Sequence, residues 1–138
     1  MPSLAPYATV ADLVAEFGEP ELRDLTDRAE PPLGEVVAAV AQRALDRAET
    51  TVNGYLSGRY SIPVPADAVK GYVLDLARRF LYVSTMPEVV KDRYESAIRD
   101  LRQIGQGLMS LPVPASAQPT PSAVGMKIRT RPKTFGDL

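Results

Sequence analysis

Residues 35–56, EVVAAVAQRALDRAETTVNGYL, decide the fold class. Val37, Val40, Ala44, Ala48, Val52 and Tyr55 recur at steps of three and four, which lines them along one side of an α-helix. Gln42, Arg43, Asp46, Arg47 and Glu49 fall largely on the other side. The spacing predicts a helix over 35–56. Gly54 lowers helix propensity near its end, and Gly58 is placed to stop it.

The flanking sequence repeats the same physics. Upstream, Thr9 reads as an N-cap with Asp12 three residues on, an aspartate version of the capping box. Leu13, Val14 and Phe17 supply an apolar side, and Gly18 ends that first helix. Pro20 suits the first turn of a short second helix over about 21–26. DRAEPPLG, residues 27–34, is a loop in which Pro31 and Pro32 forbid regular pairing.

Downstream, SIPVP at 61–65 is an extended connector. A third long helix is predicted over 67–83, with Val69, Tyr72, Val73, Leu76, Ala77 and Phe80 as a wide stripe. Leu74 and Leu81 fall outside its centre, so this helix is expected to be covered on more than one side. It is the expected middle of a bundle. Pro87 opens a last helix whose apolar face is Val90, Tyr94, Ala97, Leu101 and Ile104. Glu95 and Arg99 are an i,i+4 pair on it, and Gly105 and Gly107 end it. The expected fold is therefore mainly α, a small bundle of four to five helices.

The character changes after Gly107. LPVPASAQPTPSAVG is rich in proline and small residues and reads as a semi-rigid linker. In MKIRTRP, Met126, Ile128 and Thr130 alternate with Lys127, Arg129 and Arg131, the period of a strand. With nothing local to pair with, this stretch reads as an arm for another subunit's sheet or groove. The division expected is a helical body over 1–107 and a linker with a basic arm over 108–138.

Composition excludes much chemistry. The 138 residues allow one domain, and 45% of them are hydrophobic, enough for a core. There are no cysteines, hence no disulfides, thiolate metal sites or cysteine nucleophiles. There are no histidines, which removes Ser-His-Asp triads and His-based zinc sites. No enzyme, cofactor or metal is expected. A carboxylate-only enzyme would have to work through Asp24 and Asp27, the one acidic pair worth checking. No apolar run reaches the roughly 18–20 residues of a membrane span, and MPSLAPYATV lacks the basic-then-apolar order of a secretion signal.

Charge is unevenly placed although the net charge is only −1. Between Asp12 and Glu35 eight acidic residues face only Arg23 and Arg28. Beyond Gly107, Lys127, Arg129, Arg131 and Lys133 face only Asp137. A chain that binds copies of itself can use such a split.

The candidate contact residues each have a bland reading. Arg59 and Tyr60, at the end of the long helix, are residue types enriched at hot spots. Equally, Arg59 can meet helix carbonyls and Tyr60 can pack on the core. Met126, Lys127, Ile128, Arg129, Arg131, Lys133 and Phe135 can contact a neighbouring protein, touch nucleic acid, or form a solubilising tail. Basic residues without interleaved aromatics are a weak nucleic-acid signal.

The runs YATVADLVAEFGEPELRDLTDR, RALDRAETTVNGYLSGRYSIPV, VLDLARRFLYV and RYESAIRDLRQIGQGLMSL resemble the Mu-like phage family of head-to-tail joining proteins. The resemblance covers about residues 7–111 and rests on YAT-x-x-DL, FGE-x-EL-x-x-LTD and GYL-x-GRY-x-x-P in this order; the tail departs most. It implies a structural virion protein, a head-completion adaptor in the neck between portal and tail, present in the host cytoplasm during assembly. It implies a helical bundle, a homo-oligomeric ring of twelve copies matching the portal, and tail-side neck or tail-terminator partners. DNA would pass through the ring without sequence-specific binding, and no membrane or catalytic residue is implied. The competing reading is a small DNA-binding or regulatory helical protein with a basic arm. That reading needs Arg, Lys, Asn or Gln at the N-terminal turns of a recognition helix, which no predicted helix supplies.

Overall fold

The computed structural model describes residues 7–113. Within them the chain folds into α1 (Val10–Phe17), α2 (Glu19–Thr26), α3 (Ala38–Leu56), α4 (Ala66–Leu81) and α5 (Glu88–Gly105), with no strand among the described residues. The mainly helical bundle expected from periodicity is the observed fold. The proline-rich linker beyond 113 and the strand expected at 126–131 lie outside the described residues.

α1 starts as the cap chemistry dictates. Thr9 Oγ1 accepts from the Asp12 N–H at 3.1 Å, and Asp12 Oδ2 accepts from the Thr9 N–H at 2.9 Å. Gly18 ends α1 and also caps α2, holding φ at +97°. An L-residue is strained there, so glycine permits two helices to meet with no linker between them.

α3 begins three residues later than the stripe predicts. Thr26 explains why. Its buried Oγ1 donates to the Leu22 carbonyl at 2.7 Å and accepts from the Val37 N–H at 2.8 Å. That contact fixes Val37 as an extended cap, with φ −92° and ψ 102°. The buried face of α3 is also rotated from the expected one. Ala41, Ala44, Leu45, Ala48, Val52 and Leu56 are buried, whereas Val40 and Tyr55 are only partly so.

α4 is the middle of the bundle. It packs most extensively on α3 and also touches α5 and α1. Leu74 and Leu81, off the main stripe, are buried with Val69, Val73, Leu76 and Ala77, so the helix is covered on more than one side. Each fully buried leucine or valine contributes about 1.5–3 kcal/mol relative to exposure.

α5 ends in a Schellman motif. The Leu108 N–H donates to Gln103 O at 2.8 Å and the Gly107 N–H to Ile104 O at 3.1 Å, with Gly107 at φ +86°. Gly105 has a different purpose. A Cβ there would lie 2.5 Å from the Tyr55 carbonyl oxygen, so glycine is what allows α5 to close on the end of α3. The expected Glu95–Arg99 pair is not the arrangement found. Glu95 lies 3.9 Å from Lys91, and Arg99 lies 3.6 Å from Asp100. Packing also continues past Gly107, the expected body boundary: Leu111 and Val113 are buried in the same core.

Candidate interaction surfaces

The two ends of the described chain are pinned beside the C-terminal half of α3. Tyr7 is the first anchor. Its N–H donates to Glu49 Oε2 at 2.7 Å, its hydroxyl donates to Asn53 Oδ1 at 2.6 Å, and that hydroxyl accepts from the Val64 N–H at 3.2 Å. Burial pushes the Tyr7 phenol pKa up. Glu49, placed on the polar side of α3 by its spacing, is only 2% exposed. A long-range amide holds it inside, and no helical pattern carries that information.

Arg59 and Tyr60 form the second anchor. Tyr60 is 4% exposed, and its hydroxyl accepts from the Leu111 N–H at 3.0 Å. Arg59 Nη1 donates to the Ile104 carbonyl at 3.0 Å, near the negative end of the α5 dipole. The Arg59 guanidinium also lies 5.8 Å from the Tyr60 ring centroid and beside Gly107. Both residues are thus engaged inside the chain, steering the segment that leads out of the body. The other expected contact residues, Met126, Lys127, Ile128, Arg129, Arg131, Lys133 and Phe135, lie outside the described residues.

The acidic run of residues 12–35 is dispersed by the fold. Asp12 caps α1 and lies 3.2 Å from Lys70; Glu16 lies 3.6 Å from Arg93; Glu19 pairs with Arg23. Asp27 Oδ2 accepts from the Gly34 N–H at 2.6 Å. The Leu33 and Gly34 amides hold its carboxyl below the usual range. Asp27 therefore closes the 27–34 loop, while Asp24 is exposed. Among the described residues no group of acids is arranged to hold a metal ion.

Glu21 sits in the best-formed polar contact. Its carboxylate takes both arms of Arg78, at 2.8 and 3.0 Å, and a hydrogen bond from the Tyr82 hydroxyl at 3.1 Å. The Arg78 guanidinium also lies 4.3 Å from the Phe17 ring centroid, tying α1 and α2 to α4. Arg78 holds the Glu21 pKa below its ordinary value of 4.5, against the opposing effect of burial. A depressed carboxylate pKa stabilises the fold above the unfolded-state value, and that stabilisation is lost as pH falls through the folded one. Wild-type protein should therefore lose stability between about pH 5 and pH 3 more steeply than Glu21→Gln, by about 1 kcal/mol after allowance for partial solvent screening. Urea melts at the two pH values measure it, and parallel losses would contradict it.

Two concavities formed by the described residues carry opposite charge. The first, of about 160 Å³, is lined by Arg28, Val40, Arg43, Ala44, Arg47, Phe80 and Leu81. Arg28 Nη2 donates to the Leu81 carbonyl at 3.1 Å, and the Arg47 guanidinium lies 4.1 Å above the Phe80 ring. The second, between α4 and α5, is lined by Tyr72, Asp75, Asp92, Arg93, Ser96, Ala97 and Asp100, three carboxylates against one arginine. Asp75 Oδ1 lies 2.9 Å from Arg93 Nη2, yet burial outweighs that partner and raises the Asp75 pKa. One concavity is cationic and the other anionic, and they share no lining residue.

The model of the family described as Bacteriophage Mu, Gp36 matches residues 7–130. The chain belongs to the Mu Gp36 family. It is similar to the Mu-like prophage FluMu protein gp36 of Haemophilus influenzae, at 36% identity over 76 residues, 53% of each chain. It is also similar to gene product J of Escherichia phage Mu, at 32% identity over 103 residues, 73% of this chain and 72% of the relative. The match thus spans about half of the first relative and nearly three-quarters of the second. The Gp36 match begins at Tyr7, the residue that anchors the described N-terminal end. It runs past the 7–111 stretch expected from motifs and takes in Met126, Lys127, Ile128 and Arg129. Arg131, Lys133 and Phe135 fall beyond it. No described helix of this Gp36 relative is long and apolar enough to cross a membrane.

Proposed function

We propose that this Gp36-family chain is a head-completion adaptor: a structural subunit that joins head to tail in a tailed phage or phage-like particle. Membership of a Mu phage family carries the proposal. The chemistry of the chain supports it, since the absence of histidine and cysteine leaves few groups for catalysis near neutral pH. On this reading twelve copies form a ring under the portal in the virion neck, having assembled in the host cytoplasm. Tail-side neck or tail-terminator proteins bind below. DNA threads the ring without base-specific contacts, and the chain needs no cofactor.

The geometry suggests how such a subunit works. A rigid five-helix body sets the ring wall. The Arg59–Ile104 and Tyr60–Leu111 contacts fix the course of the described chain up to residue 113. On this proposal the basic residues 127–133 reach the portal or a neighbouring adaptor. Inactivating the gene in a producing host tests this directly. DNA-filled heads separated from complete tails are expected in electron micrographs, and a normal yield of joined particles would refute the adaptor role.

A further inference from the structure

We propose that the arginine-lined concavity between α3 and α4 receives the Val89–Asp92–Ser96–Asp100 face of α5 from a second copy of this chain, head to tail. The inference rests on the ring reading above and names the surfaces that would mate.

Arg43 and Arg47 stand one turn apart on α3, both exposed. Like charges at that spacing destabilise a helix slightly. Among the described residues, Arg23, Lys70, Arg78, Lys91, Arg93 and Arg99 each have a carboxylate within 4.0 Å, whereas Arg59, Arg79 and Arg102, scattered over three other places in the fold, do not. Arg28, Arg43 and Arg47 have none among the described ion pairs. Their concavity also has an apolar floor, with Val40 and Phe80 only partly buried. A bare phosphate would leave that floor wet, whereas a protein surface carrying both an apolar side chain and acids would cover it.

α5 carries such a surface. Val89, Asp92, Ser96 and Asp100 follow at steps of three and four and so share one face. Val89 is 54% exposed. Asp92 is exposed and Asp100 partly so, the latter with only an exposed Arg99 at 3.6 Å and the Tyr72 hydroxyl at 3.5 Å. This face turns away from the arginine concavity of its own copy. Tyr94 meets Phe80 edge-on at 6.1 Å. Asp92 lies about 160° and Val89 about 140° around α5 from Tyr94, at roughly 100° per residue. A surface that cannot meet its complement within one chain, and differs from it, makes a heterologous contact of the kind that closes rings.

Charge reversal in the full-length chain tests the contact. The readout is the number of chains per assembly by native mass spectrometry, for protein alone at high concentration and with the portal. Arg43→Glu with Arg47→Glu, and separately Asp92→Arg with Asp100→Arg, should each weaken self-association at least about tenfold, because like charges then face each other. One set makes both faces acidic and the other makes both basic, so an equimolar mixture of the two should assemble again with the variants alternating. The chain carrying all four changes should assemble as wild type does, which also shows that the substituted residues still allow folding. Wild-type assembly unaffected by either set would overturn this contact and leave the ring reading standing. Wild-type protein monomeric under both conditions would overturn both. Loss of duplex-DNA binding in the arginine variant, with assembly intact, would assign the concavity to nucleic acid instead.

Discussion

Gly105→Ala is expected to destabilise the body by about 1–3 kcal/mol, the cost of overpacking a closed contact. The added methyl would sit 2.5 Å from the carbonyl oxygen of Tyr55. A clash with a flexible side chain could be relieved by a rotamer change. This one is with the backbone of α3, so the two helices must separate. The separation would act on Ile104 and Leu101, which are fully buried nearby in α5, and on the Arg59 hydrogen bond to the Ile104 carbonyl. Propensity alone predicts the opposite sign, since alanine in a helix is favoured over glycine by up to about 1 kcal/mol. Gly54→Ala and Gly71→Ala provide the control. Both positions are helical with nothing within 4 Å of the new atom. They should be neutral or gain up to about 1 kcal/mol. Urea midpoints of the three variants decide it, and a stabilised Gly105→Ala would show that the α3–α5 contact is looser than described.

Tyr7→Ala should cost more, about 3–5 kcal/mol, the range for deleting a large buried ring. The ring is buried in the core, and its hydroxyl joins Asn53 on α3 to the Val64 amide of the 57–65 connector. Tyr7→Phe separates the two contributions. It keeps the ring but leaves the Val64 N–H without its acceptor in a buried site, which costs about 1–3 kcal/mol. Thermal melts of both variants measure the difference. Equal losses would mean that the hydroxyl carries the whole anchor, and no loss in Tyr7→Phe would remove the hydrogen bond from the account.

The helices were legible because their apolar residues recur at the helical period. The α1 cap was legible because Thr9 and Asp12 carry a local, three-residue signature. What escaped depends on contacts far apart in sequence. Val37 is non-helical because of Thr26, eleven residues away. Glu49 is buried because of the Tyr7 amide, forty-two residues away. Gly105 reads as a helix stop, but Gly107 holds the left-handed turn and Gly105 serves a helix crossing. The proposed contact surface was the least legible part. Arg59 and Tyr60 look like interface residues by type, yet the fold engages both internally. Arg43 and Arg47 read as an ordinary solvated face; only the placement of Arg28 and Phe80 beside them shows a cationic concavity with an apolar floor. The acidic run of residues 12–35 looked like one patch because its members are neighbours in sequence, and the helices then send most of them to different partners.

We propose above all that this Gp36-family chain is an adaptor that forms a ring on a portal. Native mass spectrometry of the full-length protein mixed with the portal of its own particle tests it most directly. The account predicts one portal bearing twelve copies of the chain, with free chain left over only beyond that ratio. A portal that keeps its own mass in the presence of excess chain would contradict it.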